Sequence, residues 1–199
     1  MHYPDFFDTH EPMKLYDPLA KVLGAFEEGN VHFSYLDAVK LAGHSCPTVA
    51  GAFLMACQGL QALYGDALPQ RGDVEVSFRE KKEEGVTGVI ANVISMITGA
   101  SDEGGFKGLN QKFARRSLLH FGVAMEGIVR LTRLDTAQSV ELFYDPSSVA
   151  ASPLLQPLMQ KVLQNAANAE EIQEFGMLWQ ERVAKILQRP KEVVRVKKD

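Results

Sequence analysis

Apolar residues recur at helical spacing in several stretches of the chain and alternate in others. Leu15, Leu19, Val22, Leu23 and Phe26 predict a helix over 11–28, stopped by "EEGN". A short helix follows within 32–43. Ser34 is its N-cap, with Asp37 three residues on, and Gly43 ends it. Val49, Phe53, Ala56, Cys57, Leu60 and Leu63 form one apolar stripe over 48–64, ended by Gly65. Val74, Val76 and Phe78 alternate with Glu75, Ser77 and Arg79, which predicts a strand with one buried face. Val86, Val89, Ile90, Val93, Ile94 and Ile97 return to helical spacing, and Gly99 ends that run. Residues 112–122 fit helix and strand equally. Two strands are read at 124–134 and 139–145, then two amphipathic helices at 153–164 and 168–188.

The pattern predicts an α+β fold in which an antiparallel sheet packs against helices and a helical extension follows. It divides the chain into an N-terminal arm and helix (1–30), an α+β core (31–150) and a C-terminal helical extension (151–199).

Composition changes this picture little. Hydrophobic residues make up 46% and charged residues 23% of 199, an ordinary globular balance. A net charge of −4 argues against a nucleic-acid binder. The cations Lys191, Arg195, Lys197 and Lys198 read as a solvated end. No apolar run reaches the roughly 20 residues of a membrane span. The N-terminus lacks a basic region followed by an apolar stretch, so the cytoplasm is the expected compartment. The two cysteines, Cys46 and Cys57, are eleven residues apart. On one helix that is about 16 Å, too far for a disulfide.

Candidate chemistry concentrates in "GHSCPT" at 43–48. Pro47 suits the first turn of a helix, which puts Cys46 at or beside the N-cap. Unpaired N–H groups and the helix dipole there favour a thiolate, the form that binds metal or attacks an electrophile. His44, two residues away, supplies an imidazole, and the pair is half of a zinc site. His32, Asp102, Glu103 and His120 are candidate further ligands, and a second copy of the chain is another source. The alternative is an enzyme with Cys46 as nucleophile and His44 as base. Cys57 lies on the apolar stripe and reads as core. The loop at 99–110 carries Gly99, Gly104, Gly105 and Gly108 together with Lys107. It lacks the spacing of a P-loop or a dinucleotide fingerprint.

"AGHSCP" at 42–47, followed by an apolar helix containing "GAFLMA", resembles the signature of the FmdE family, named for one of the subunits of formylmethanofuran dehydrogenase. "VIANVISMITGASDEGGFKGLNQKFA" at 89–114 resembles that family's buried helix and its glycine- and lysine-bearing loop. The resemblance covers roughly 30–145. It implies an α+β core, a homodimer, and a metal such as zinc near the H-x-C motif. It matches His44 and Cys46 to the metal site, and Thr98, Gly99 and Lys107 to a loop that binds cofactor or a small-molecule ligand. The resulting expectation is a metal- or cofactor-binding accessory protein of a redox or metalloenzyme system. Four positions depart from the family pattern: Ala42, Val89, Asn92 and Ala100 stand where relatives carry histidine, cysteine, aspartate and cysteine. No cysteine follows Cys57, so the C-terminal zinc finger of some relatives is missing.

Overall fold

Helix α3 (Pro47–Tyr64) is buried on nearly every side, and the rest of the fold is arranged around it. It packs against α2 (Tyr35–Ala42), α4 (Thr87–Thr98), α6 (Ala169–Gln188) and a five-stranded sheet. The structure is a computed structural model and describes residues 2–110 and 112–198. Its architecture is α+β.

The sheet has the order β4 (Leu119–His120), β3 (Val74–Phe78), β5 (Val129–Arg133), β6 (Ser139–Tyr144), β7 (Val194–Lys198). Neighbours are antiparallel except β3 and β4, which run parallel. Register makes the two faces different. Phe78, Val129, Leu142 and Val196 lie in one cross-strand row, and Val76, Leu131 and Val140 in another. Both rows face the core, and the other face is the more polar one. The intervening row is Ser77, Arg130, Glu141 and Lys197. Within it the Arg130 guanidinium donates to Glu141 at 2.5 Å.

Three sequence readings need correction. Residues 11–28 are not one helix. Met13–Tyr16 form β1, paired antiparallel with β2 (Asn30–Phe33), and only Pro18–Val22 are α-helical, as α1. Pro18 is the physical reason: its ring suits the first turn of a helix and its missing N–H would break a continuous one. Leu15 is therefore in the core at 1% exposure, while Val22 and Leu23 stand 61% exposed. The basic tail is a paired strand rather than a free end, although Lys191, Arg195 and Lys198 stay exposed. Val194 and Val196 point inwards in β7, and Arg195 lies over the Phe143 ring at 3.5 Å on the other face. The first strand of the late pair starts at Val129 rather than at 124.

The remaining elements follow local rules. Ser34 and Asp37 form a reciprocal capping box on α2, with Asp37 N–H donating to Ser34 Oγ at 3.2 Å and Ser34 N–H donating to Asp37 Oδ2 at 2.8 Å. Asn168 and Glu171 do the same for α6. Helix α5 (Leu155–Leu163) packs on α6 through Leu155 and Leu158. The short α7 (Pro190–Val193) leads from α6 into β7. Among the described residues, no helix is long and apolar enough to cross a membrane.

Candidate functional site

The turn between α2 and α3 brings the G-H-S-C-P residues to one corner. Helix α2 ends on Gly43 in the left-handed region, and α3 begins with Cys46 as N-cap. Ser45 between them is buried and held from several sides. Its hydroxyl is 2.9 Å from the Tyr35 hydroxyl. Its carbonyl accepts from Trp179 Nε1 at 3.0 Å and Gln180 Nε2 at 3.2 Å. Two residues on, the Pro47 carbonyl accepts from the Tyr144 hydroxyl at 2.6 Å. The Tyr144 ring lies so close over α3 that a Cβ at position 51 would come within 2.4 Å of it, hence Gly51. Burial pushes both tyrosine hydroxyls far above the ordinary range, so they stay neutral partners at physiological pH.

The two candidate ligands face different surroundings. Cys46 is buried, and its Sγ accepts a long bond from the Val49 N–H at 3.4 Å. His44 is exposed, with Nδ1 2.9 Å from the Ala42 carbonyl. No hydrogen bond joins His44 to Cys46 or to an orienting acid among the described residues, so a nucleophile and base are not assembled.

None of the candidate further ligands shares a hydrogen bond with His44 or Cys46 among the described residues. His32 is exposed on β2. His120 lies on β4 with Nε2 3.3 Å from Glu75 Oε2. Asp102 pairs with Lys82 at 3.0 Å and accepts from the Gly104 N–H at 3.1 Å. Glu103 is exposed. Among the described residues, no group of three or more His, Cys, Asp or Glu side chains is placed to hold a metal ion. A closed zinc site of four protein ligands therefore does not fit this chain as it stands.

The glycine-rich loop divides likewise. Thr98 is buried, donates to the Ile94 carbonyl at 2.8 Å and accepts from the Ala100 N–H at 3.2 Å. Those bonds close the end of α4. Gly99 has φ +76°, and a Cβ there would meet Arg115 Nη1 at 2.1 Å. Lys107 is exposed. Cys57 is half-buried rather than fully in the core. It lines a groove of about 720 Å³ beside β1 and β7, and burial pushes its thiol up to about 12.

The most charged interior site was missed by sequence reasoning. Asp17, the N-cap of α1, accepts from the Ala20 N–H at 3.0 Å, from Arg71 Nη1 at 3.0 Å and from Arg115 Nη2 at 2.7 Å. Arg71 also donates from Nε to the Ile97 carbonyl at 3.2 Å and from Nη2 to the Met96 carbonyl at 3.0 Å, at the negative end of α4. Burial works to raise the Asp17 pKa, but the Ala20 N–H and the two guanidiniums win and hold it low. Burial lowers that of Arg115, against the pull of Asp17. Asp17 before Pro18 was a readable cap signal. Nothing local to Arg71 or Arg115 announced their partner.

No protein-family model matches this chain, and no curated protein matches it. Among solved structures it is similar to a tungsten formylmethanofuran dehydrogenase FmdE-like protein from Syntrophus aciditrophicus. The identity is 14%, over 84% of this chain and 72% of that one, with a TM-score of 0.41.

Proposed function

We propose that this protein is a metal- or cofactor-binding accessory protein of a redox or metalloenzyme system, acting through the 43–47 corner. The observation that carries the reading is the pinning of Ser45. Tyr35 of α2 holds the Ser45 hydroxyl and two groups of α6 hold its carbonyl, while among the described residues the flanking His44 and Cys46 side chains have only backbone hydrogen-bond partners. Such a corner carries one soft and one borderline donor on a rigid frame, and with His44 exposed and Cys46 buried, joint binding requires the Cys46 side chain to turn outwards. Two donors make an open site. The remaining ligands come from a cofactor, from a partner protein or from a second copy of the chain, and zinc suits the donor pair best. The resemblance of "AGHSCP" to the FmdE signature supports the same reading.

The test is elemental analysis of protein purified without a metal-affinity tag, before and after incubation with zinc. Light scattering on the same samples reports whether two copies associate. Metal should fall to background in a His44→Ala, Cys46→Ser double variant that keeps the wild-type circular dichroism. Full metal stoichiometry in that variant would move the site elsewhere.

A further inference from the structure

A second pocket, of about 600 Å³, opens between β2, the start of α2 and the end of α4. Its size is that of a small-molecule site. Phe26, Phe33 and Met96 supply apolar walls, and Arg71 supplies the charge. Phe26 is 49% exposed although it is aromatic, and it lacks a ring partner among the described residues. Phe33 lies beneath the guanidinium, 5.2 Å from ring centroid to Arg71 Cζ.

The guanidinium is incompletely used. It has five N–H donors. Three bonds are made, to Asp17, Met96 and Ile97, so two donors have no partner among the described residues. The side chain is 24% exposed, enough to reach a ligand and little enough to be poorly hydrated. Charge points the same way. Two guanidiniums share the single carboxylate of Asp17. The acid that lines the pocket, Asp37, has Oδ2 bonded to both the N–H and the hydroxyl of Ser34 at 2.8 Å. His32 and Asn30 stand at the rim as further donors.

We infer that this pocket binds a small organic anion with a planar apolar body, its carboxylate on Arg71 and its ring between Phe26 and Phe33. A charged bond to the half-buried guanidinium supplies orientation, and the aromatic walls supply area. This site is independent of the 43–47 corner and of any metal there.

Calorimetric titration of the full chain with 1-naphthoate tests it, with 1-naphthalenemethanol as the uncharged counterpart. Saturable binding of the acid is expected in the millimolar range or below. The alcohol should bind about 10- to 100-fold more weakly, because it cannot form the charge-assisted bond. Phe26→Ala, a change at a half-exposed side chain, should weaken the acid about 2- to 10-fold with unchanged melting temperature. Arg71→Gln should remove the preference for the acid, provided its circular dichroism matches wild type. Absence of saturable naphthoate binding would overturn the inference. So would equal binding of acid and alcohol, or an affinity that Phe26→Ala leaves untouched.

Discussion

The 43–47 corner and the cluster of Asp17, Arg71 and Arg115 are both interior polar sites, built from different chemistry. In the corner, one hydroxyl, an indole and an amide donate to backbone carbonyls, two hydroxyls pair with each other, and Ser45 O has two donors. Loss of one partner leaves another in place. In the cluster, one carboxylate holds two guanidiniums, and Arg115 is almost wholly buried. Loss of that carboxylate leaves like charges facing each other out of water. The corner should therefore tolerate single changes, and the cluster should not.

The largest effect should come from Asp17→Asn. Breaking one side of a buried ion network costs about 3–5 kcal/mol, and the Asn still caps α1. Urea unfolding should show the loss. A cost below about 1 kcal/mol would mean that the cluster is solvated. The same residue sets a pH dependence. Its folded pKa lies below the unfolded value of about 3.9. Its stabilisation is therefore present above that value and lost as pH falls through the folded pKa. Glu141, held low by the Gly127 N–H and Arg130 against the effect of burial, adds in the same direction. Asp17→Asn should flatten the acid limb of a stability–pH curve and leave the neutral region parallel to wild type.

Gly99→Ala should come next, at about 1–3 kcal/mol, since the position needs a left-handed backbone and Arg115 fills the space a Cβ would take. Thermal melts would show it, and an unchanged melting temperature would place Arg115 elsewhere.

Trp179→Phe belongs to the corner and should cost about 0.5–1.5 kcal/mol beyond its packing loss, because Gln180 still donates to Ser45. Its sharper readout is faster alkylation of Cys46, while Cys57, pushed up to about 12, stays unreacted at neutral pH. If Cys57 reacts first in the native protein, α3 is turned the wrong way.

The smallest effect should be that of Cys46→Ser, within about 0.5 kcal/mol, because serine accepts the Val49 N–H at least as well as the thiol. A large loss would show that sulfur packing, rather than capping, holds the corner.

These contrasts explain what was readable. Ser34, Asp37, Gly43, Cys46 and Pro47 do their work on neighbours within a few residues, so the cap of α2, its stop and the start of α3 were legible from spacing. Val93 and its neighbours on α4 were legible as core for the same reason, through one apolar face. The strand β7 was legible in principle, since Val194 and Val196 alternate with Arg195 and Lys197, but terminal cations read more readily as a solvated end. The contact of Trp179 with Ser45 joins positions 134 residues apart, and an aromatic pair on a late helix reads equally as an interface anchor.

By itself the sequence determined the α+β class, the capped helix pair around G-H-S-C-P and the one-faced strands. Those features follow from periodicity and from hydrogen bonds that close within one turn. Only the tertiary structure decided that 13–16 is a strand, that the tail completes the sheet, and that Asp17 meets Arg71 and Arg115 across 54 and 98 positions. It also decided that Cys46 is turned inwards while His44 faces water. Burial and long-range pairing depend on which surfaces meet after the chain closes, and local spacing carries no record of that.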